Sequence, residues 1–401
     1  MKVIIIGNGV AGTFSAQNII NIDKSVDIKI ITEEKYPYYS RPKLPEFISE
    51  QVSINDIIVF KEDWYRKKNI KLILARKVLG IHPREKHLLL EDQKEFIQYD
   101  KLIIATGSKP NIPPIKNAVE LLKKGVFTLR NIDDAIEIQN YIKVNNAKKA
   151  IIIGGGLLGL ELAKQIKNCN LDTTIVEFFP RLLPRQLDDE CAEMLKAEIE
   201  KMGIKVILNA TTEEILGADS VEGIKIKAGP EIKADTVLIQ AGIRPRTELA
   251  EKARIQQNRG IIVNQFLQTS DKDIFAVGDV IEYKSQTWGI IPACIEQSRI
   301  VAASVLNKKE IQYKGTTPKT TLKIVGINLT SIGIFDPSQE EDIGWEILKK
   351  IDQDNCCYQK FVLKDNKLKG AILFGETKSI PFVNKNINSN VNKEEINKLL
   401  E

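Results

Sequence analysis

Four stretches of the chain share one pattern, a short run of apolar residues that leads directly into glycine. The runs are KVIIIG at residues 2–7, LIIATG at 102–107, AIIIGG at 150–155 and VLIQAG at 237–242. Short, continuous apolar runs that end in a turn are typical of strands buried on both faces of a parallel sheet. Helical spacing follows the first and third runs, so the pattern predicts strands alternating with helices in an α/β fold.

The first glycine turn has the spacing of a dinucleotide-binding motif. Gly7, Gly9 and Gly12 follow the strand as GxGxxG. In such a turn the first glycine permits the tight bend, the second lets a pyrophosphate approach the backbone, and the third lets helix and strand pack closely. The helix N-terminus offers free N–H groups to the phosphates. The next strand leads to Glu33 and Glu34, about 20 residues further on, where a carboxylate can bind a ribose 2′-hydroxyl.

A second turn of the same kind contains Gly154, Gly156 and Gly159. The strand that follows it, TTIV, leads into Glu177. This carboxylate suits the free 2′-hydroxyl of NADH and repels the 2′-phosphate of NADPH. Arg181 lies four residues further on and could soften that preference. The motif therefore predicts a second dinucleotide site that favours NADH.

Length and charge narrow the class of protein. A chain of 401 residues predicts two or three domains. Its net charge of +5 comes from residues 1–315, because the remainder holds twelve lysines and twelve acidic residues. Without a basic run that includes aromatic residues, nucleic-acid binding is not expected. A basic face that attracts dinucleotides or an acidic protein partner fits better, although plain solvation explains the charge equally well.

The sequence also bears on location. The start, MKVIIIGNGVAG, has no long apolar region of the signal-peptide type, and no apolar run approaches the roughly 20 residues of a membrane span. We therefore expect a cytoplasmic protein without a membrane partner.

Thiol and imidazole chemistry have little support in the sequence. The five cysteines show no CxxC pair and no metal-ligand spacing, so no metal site is expected. Cys169 and Cys294 lie on apolar helical stretches, which is typical of buried small hydrophobic residues. Both histidines lie in IHPREKHLLL, a segment typical of a surface hairpin. A vicinal disulfide between Cys356 and Cys357 stays open as a minor alternative.

Taken in order, four motifs make the chain resemble a known family. GxGxxG lies at 7–12, ATG at 105–107, GGGxxGxE at 154–161 and Gly-Asp at 278–279. The same order occurs in the pyridine nucleotide–flavin oxidoreductases with two Rossmann-like domains. The resemblance covers at least residues 1–315 and implies FAD on the first unit and NAD(P)H on an inserted second unit.

The implied fold is α/β, with two Rossmann-like dinucleotide-binding domains and a small α+β C-terminal domain. The FAD domain is expected at 1–112 and 245–315, split by an NADH domain at 113–244. Residues 316–401 alternate apolar and polar positions over short strands and form the C-terminal domain. Its Asn-rich segment, NKNINSNVNKEE, is expected to be loose before a short terminal helix.

Narrower features resemble NADH:rubredoxin reductases and the flavin portion of NADH-dependent assimilatory nitrite reductases. They are YYSRPKLPEFI, LRNIDDA, PRQLDDE, TTLKIVGINLTSIG and KLKGAILFGET. Together, motifs and resemblance imply FAD contacts at Gly7, Gly9, Val10, Ala11, Gly12, Glu33, Glu34, Arg41, Val78, Thr106, Gly107, Glu161, Gly278, Asp279 and Lys323. NADH contacts are implied at Gly154, Gly156, Gly159, Glu177 and Gly242.

The resemblance assigns roles to some of these residues. It implies that Arg41 and an acid at 33 or 34 contact the adenosine and phosphate part of FAD. Val78 offers its backbone to the adenine, Asp279 binds the ribityl chain and Lys323 lies near the flavin. Glu161 lies near the contact between flavin and nicotinamide, and no residue is assigned as catalytic.

Two positions depart from the family pattern. Thr32 stands where an acid usually closes the second strand, which leaves the ribose contact to one of the two following glutamates. Glu46 stands where related oxygenase-coupled ferredoxin reductases have a lysine, so a lysine–flavin interaction is not expected here.

The segment YPYYSRPKLPEFISE, residues 36–50, lies where disulfide reductases of this family carry a redox cysteine, and it contains none. Thiol–disulfide exchange therefore lacks its nucleophile. Pro42 and Pro45 favour a rigid, non-helical approach before any helix begins. Electrons are expected to leave from the flavin itself.

The resemblance favours an NADH-dependent reductase of rubredoxin or a similar small acidic electron carrier, acting as a monomer. Two alternatives stay open, an NADH oxidase that reduces O₂ and an FAD-binding electron-donor subunit of a separate nitrite reductase. Nitrite reduction by this chain alone is not expected, because no cysteine follows Cys357 to hold an iron–sulfur cluster.

Overall fold

The computed structural model describes residues 1–91, 96–308, 311–337 and 344–401. Two compact units are present. The first contains Met1–Lys43, Val52–Pro110 and Ile243–Thr316, and the second contains Leu44–Gln51, Asn111–Gly242 and Thr317–Glu401. Among the residues described, no helix has the length and apolar character needed to cross a membrane.

Strands and helices are numbered along the chain, and the first unit contains two 3₁₀ turns, at Arg41–Lys43 and Gly278–Val280. Its other elements are β1 (Lys2–Ile6), α1 (Val10–Ile22), β2 (Asp27–Ile31), α3 (Ile54–Ile57), α4 (Glu62–Lys67), β3 (Ile70–Ile73), β4 (Val78–His82), β5 (His87–Leu90), β6 (Phe96–Gln98), β7 (Lys101–Ile104), β8 (Ser108–Pro110), β17 (Ile243–Pro245), α8 (Glu248–Lys252), β18 (Ile261–Ile262), β19 (Ile274–Ala276), β20 (Ile281–Glu282) and α9 (Ile291–Val305).

A five-stranded parallel sheet in the order β19-β7-β1-β2-β3 forms the centre of the first unit. Its strands are short apolar runs because both faces of the sheet are covered; residues 3–6 of β1 are at most 5% exposed. The antiparallel sheet β4-β5-β6 lies beside this core. It contains the two histidines on a hairpin, as expected, and their rings stack across it.

The elements of the second unit fall into two groups, a nucleotide-fold part and a C-terminal part. They are α2 (Leu44–Ile48), β9 (Val126–Phe127), α5 (Ile132–Val144), β10 (Lys149–Ile153), α6 (Leu157–Asn168), β11 (Asp172–Val176), α7 (Asp189–Lys201), β12 (Lys205–Ile207), β13 (Thr212–Leu216), β14 (Gly223–Ile226), β15 (Glu231–Lys233) and β16 (Thr236–Ile239), then β21 (Lys319–Ile324), β22 (Ile327–Gly333), β23 (Trp345–Asp352), β24 (Cys357–Lys364), β25 (Lys367–Phe374), α10 (Ile380–Asn386) and α11 (Lys393–Leu400).

The nucleotide-fold part repeats the order of four strands of the first unit, because β12-β11-β10-β16 corresponds to β3-β2-β1-β7. Its parallel sheet has the order β12-β11-β10-β16-β9, and a small antiparallel sheet, β13-β14-β15, accompanies it. In both units the strand before the glycine turn is central and pairs with the strand that follows the helix after that turn. The predicted α/β class with two dinucleotide folds is therefore confirmed.

The C-terminal part is an antiparallel sheet in the order β21-β22-β25-β24-β23, packed against α10 and α11. The terminal helix is confirmed, but the expectation of a loose Asn-rich segment is wrong. Asn388 N–H donates to the Leu368 carbonyl at 2.7 Å, and Leu368 N–H donates to the Ser389 carbonyl at 3.0 Å. Asn388 has φ +62°, a conformation that asparagine tolerates better than most residues. Asparagine here allows a turn that backbone hydrogen bonds then hold.

Candidate functional site

Two of the three glycines in the first turn are required by the packing of the protein itself. Gly7 has φ +110°, and a Cβ there would collide with the carbonyl oxygen of Ala105. A Cβ on Gly12 would collide with the carbonyl oxygen of Gly7. These residues allow β1, β7 and α1 to come close, as the motif predicts.

Gly9 differs, because nothing within the described chain demands a glycine there. Its φ of −82° and ψ of −170° suit any residue, and a Cβ would meet no atom of the described residues within 4 Å. Gly9 is the N-cap of α1 and has no side chain to accept a hydrogen bond. Among the described residues, no capping side chain therefore accepts from the first N–H groups of the helix, which begins at Val10. A cradle beside a helix N-terminus fits a phosphate, and so the turn fits a dinucleotide such as FAD.

A pocket opens next to this turn, within the first unit. Three of the predicted residues, Gly9, Glu34 and Arg41, line it, and Arg41 Nη2 donates to Glu34 Oε1 at 2.6 Å. Tyr39 OH donates to the other oxygen of Glu34 at 2.5 Å and accepts from Arg41 Nη1 at 2.9 Å. The lining is Asn8, Gly9, Thr32, Glu34, Tyr36, Tyr38, Tyr39 and Arg41.

The structure separates the two candidate acids. Glu34 lines the pocket, whereas Glu33 forms a salt bridge with Arg246 and is 42% exposed at its side chain. Thr32, in the position usually held by an acid, accepts from the Glu34 N–H at 3.3 Å. The geometry favours Glu34 as the ribose contact.

The late Gly-Asp motif lies at the same end of the sheet. Asp279 accepts from Ser108 Oγ at 2.9 Å, and Gly278, with φ +85°, donates its N–H to the Gln297 side chain at 2.7 Å. A Cβ on Gly278 would lie 2.8 Å from that of Ala11 at the start of α1. The motif at 278–279 is therefore brought against the first glycine turn.

Three other predicted FAD residues lie on neighbouring elements of this unit. Thr106 Oγ1 donates to the Arg246 carbonyl at 3.1 Å, and Gly107 has φ +68° and accepts from the Arg246 N–H at 3.0 Å. Both residues lie in the turn after β7. Val78 is the buried first residue of β4.

The second glycine turn repeats the geometry of the first. Gly154 has φ +117°, and a Cβ there would collide with the carbonyl oxygen of Gln240, while one on Gly159 would collide with that of Gly154. A Cβ on Gly156 would meet no described atom within 4 Å. The second turn thus leaves the same cradle at its middle glycine, and it fits a second dinucleotide.

Glu177 is held at the edge of this turn. It is 6% exposed; Oε2 accepts from the Gly155 N–H at 2.5 Å, and Oε1 accepts from the Phe179 N–H at 2.8 Å. Two backbone donors thus hold a carboxylate beside the glycine turn, where a ribose hydroxyl would be recognised. Arg181 forms ion pairs with Asp189 and Asp336.

Three remaining predicted residues are in the second unit. Glu161 on α6 accepts from the Val325 N–H at 2.6 Å, and burial, with a smaller contribution from nearby Glu46, raises the pKa of its carboxyl. Lys323 lies exposed on β21, the strand that ends just before Val325. Gly242 has φ +89° and accepts from the Asn111 N–H at 2.9 Å.

The segment at 36–50 departs from the expected non-helical path. Arg41–Lys43 form a 3₁₀ turn, and α2 begins at Leu44, with Pro45 in its first turn. Proline is tolerated there because the first N–H groups of a helix have no intrahelical acceptor to lose. α2 packs within the second unit, where Ser49 Oγ donates to Gln165 Oε1 at 2.7 Å and Gln139 Nε2 donates to the Phe47 carbonyl at 2.7 Å.

All five cysteines, each in the described part of the chain, are free thiols, so the vicinal disulfide does not form. Burial raises the pKa of the Cys169, Cys191, Cys356 and Cys357 thiols. A raised pKa disfavours the thiolate, which is the reactive form.

Sequence reasoning missed Asn8 and the tyrosines of the pocket. Asn8 Oδ1 accepts from Thr13 Oγ1 and from Tyr65 OH, each at 3.0 Å. No spacing rule marks these residues, because Asn8 lies between two motif glycines and the tyrosines lie in the loop after β2. The clustered tyrosines of YPYY, next to Arg41, were the signal that could have identified the pocket lining.

Comparison with known proteins extends these observations. Residues 1–298 match the family described as pyridine nucleotide-disulphide oxidoreductase, and residues 318–391 match the rubredoxin NAD+ reductase C-terminal domain. The chain is 36% identical to a nitrite reductase [NAD(P)H] of Bacillus subtilis (strain 168) over 94% of its own length, but spans only 46% of that protein. It is 33% identical to the NADH-rubredoxin oxidoreductase of Clostridium acetobutylicum, over 99% of this chain and 97% of the relative.

The crystal structure of the NADH:rubredoxin oxidoreductase from Clostridium acetobutylicum has the same fold. It superimposes with a TM-score of 0.75 at 31% identity, covering 96% of this chain and 93% of the other. Its similarity covers the nucleotide folds and the C-terminal part alike.

Proposed function

The chain belongs to the pyridine nucleotide-disulphide oxidoreductase family, and we propose that it takes a hydride from NADH and passes electrons singly to a small iron–sulfur carrier of the rubredoxin type. The family uses FAD and NAD(P)H, and the chain is an NADH-dependent oxidoreductase. The observation that carries the proposal is the pair of glycine positions, Gly9 and Gly156, where an open space beside a helix N-terminus would admit the pyrophosphate of a dinucleotide.

The residues present fit one dinucleotide on each fold. On the first, the turn at 7–12, Arg41 and Glu34 would hold the phosphate and ribose of FAD, and Asp279 would hold the ribityl chain. When bound, NADH supplies a hydride and FAD accepts it and can release electrons one at a time. On the second fold, Gly156 would admit the pyrophosphate of NADH and Glu177 its adenine ribose.

We further propose the domain limits 1–112 with 245–315 for FAD, 113–244 for NADH and 316–401 for the C-terminal domain. Glu161 and Lys323 are proposed to lie near the reacting rings by resemblance to the family. Positioning of the two rings, rather than acid–base catalysis, is what hydride transfer requires of these residues. A monomer in the cytoplasm remains our prediction.

The absence of cysteine from residues 36–50 supports electron exit from the flavin without a thiol relay. An acidic carrier would suit the positive charge carried by residues 1–315, and docking of that kind is weak and salt-sensitive. A variant with all five cysteines replaced by serine or alanine should therefore retain carrier reduction, once its flavin content is matched to that of the unmodified protein.

A screen of electron acceptors tests the proposal. Purified holoenzyme is mixed with NADH and rubredoxin, a ferredoxin or O₂ alone, and NADH loss is followed by absorbance. Reduction of rubredoxin far faster than O₂ consumption supports the proposal. Rapid NADH loss without a carrier would favour the NADH oxidase, and turnover only with a separate nitrite reductase polypeptide would favour the donor subunit, as the nitrite reductase similarity suggests.

A further inference from the structure

Arg181 lies beside the second glycine turn because the loop after Glu177 folds back onto that turn. Leu183 N–H donates to the Gly155 carbonyl at 3.1 Å. The Leu182 side chain lies 2.6 Å from where a Cβ on Gly155 would be. The residue directly before Leu182 is therefore carried to the edge of the proposed dinucleotide site.

Two aspartates hold the guanidinium of Arg181. Nη1 pairs with Asp189 Oδ1 at 2.8 Å, and Nη2 pairs with Asp336 Oδ2 at 3.3 Å. The two aspartates differ in burial, because the Asp189 side chain is 81% exposed and that of Asp336 only 14%. Asp336 follows β22 in the C-terminal part of the second unit, whereas Asp189 begins α7.

The two ion pairs do not involve every nitrogen of the guanidinium. Arg181 Nε is buried and has no hydrogen-bond partner among the residues the structure describes. A guanidinium near the second strand of a dinucleotide fold is the group that accommodates the 2′-phosphate of NADPH. This chain therefore places an acid suited to NADH and an arginine suited to NADPH on the same loop.

We propose that Asp336 determines cofactor specificity as a positioning residue, by holding the Arg181 guanidinium away from the adenine ribose. The inference rests on the proposed binding of NADH at Gly156 and Glu177. Asp336 carries this role rather than Asp189, because a pair shielded from water keeps more of its electrostatic attraction than an exposed one. The C-terminal part of the unit thus contributes to the choice of NADH.

The test is the ratio of kcat/KM for NADPH to that for NADH, measured with holoenzyme and a fixed acceptor. Asp336→Asn should raise the ratio about tenfold, a typical size for a single energetic coupling. The matched control is Asp189→Asn, which should leave it within about twofold since that pair is exposed. In an Arg181→Ala background the Asp336→Asn change should have no effect on the ratio.

A binding measurement separates specificity from general damage. Adenosine 2′,5′-bisphosphate and 5′-AMP differ by the 2′-phosphate alone, so Asp336→Asn should strengthen inhibition by the first and leave inhibition by the second unchanged. Flavin content and thermal unfolding of each variant show whether it is folded. If Asp336→Asn does not fold, Arg181→Ala alone tests the inference. This variant should leave the NADPH:NADH ratio of kcat/KM unchanged, because the arginine does not reach the ribose in the unmodified protein.

An unchanged ratio and unchanged bisphosphate inhibition in folded Asp336→Asn would overturn the inference. A loss of NADPH use in Arg181→Ala alone would also overturn it, since Arg181 would then already reach the 2′-phosphate. Failure of the unmodified protein to oxidise NADH at all would instead refute the proposed function.

Discussion

Replacing Gly9 by alanine should abolish flavin retention without harming the fold. Its φ of −82° and ψ of −170° are open to alanine, and no described atom lies within 4 Å of the new methyl group. Gly→Ala at a compatible conformation stabilises a protein by about 0.4–1 kcal/mol, because the unfolded chain loses freedom, but alanine is a poorer N-cap than glycine and this offsets the gain. The apoprotein should therefore unfold at about the same temperature as the unmodified one.

FAD binding should respond in the opposite direction. The methyl group would occupy the space through which a phosphate reaches the helix N–H groups. Loss of a hydrogen bond to a charged group costs about 1.5–3 kcal/mol, and overpacking about 1–3 kcal/mol more. The sum, about 2.5–6 kcal/mol, corresponds to a rise of about 60-fold to about 20,000-fold in the dissociation constant for FAD.

Gly12→Ala is the matched control, three residues away. A Cβ there would collide with the carbonyl oxygen of Gly7, so this variant should lose stability even as apoprotein. Flavin absorbance per polypeptide, FAD titration of apoprotein and thermal unfolding separate the two outcomes. Full flavin content in purified Gly9→Ala, with an unchanged FAD dissociation constant, would refute the assignment of this cradle to the cofactor.

Three further predictions concern the second unit. Gly156→Ala should keep its flavin but weaken NADH binding, seen as a higher KM for NADH with folded protein. Lys360→Met should lower the free energy of unfolding in urea by about 3–5 kcal/mol, because it leaves Asp188 buried without its ammonium partner at 2.7 Å. Adding Asp188→Asn should restore most of that loss. An unchanged free energy of unfolding in both variants would contradict the pairing. Burial raises the pKa of Glu161 above its ordinary 4.5, so the native state binds this proton more tightly than the unfolded state does. The free energy of unfolding should therefore fall as pH rises through the folded pKa, and Glu161→Gln should remove that slope. Identical profiles of unfolding free energy against pH for the two proteins, from about pH 4 to about pH 7, would contradict this.

The glycine turns were predicted well wherever backbone geometry decides the residue. Gly7, Gly12, Gly154 and Gly159 are required by close contacts between strand and helix, and such contacts leave a spacing in the sequence. The ambiguity between Glu33 and Glu34 could not be settled in the same way. Which carboxylate enters the pocket depends on Arg41 and Tyr39, which hold Glu34, and on Arg246, which pairs with Glu33 from a distant part of the chain.

Two errors in the loops have a common cause. Proline at position 45 and asparagine at position 388 were interpreted from local preference, as a non-helical and a loose segment. In the structure Pro45 lies in the first turn of α2, and Asn388 hydrogen-bonds to Leu368 of β25. Local preference limits which conformations a residue can adopt, but packing partners elsewhere in the chain select among them.

The sequence by itself determined that the chain contains two dinucleotide folds, because parallel strands, glycine turns and the acids after them follow a fixed spacing along the chain. It also determined that residues 36–50 contain no thiol. Only the tertiary structure decided that Arg181 is held by Asp336, 155 residues away. Side-chain pairs between distant segments leave no periodicity in a single sequence, and the specificity we infer for the second site depends on such a pair.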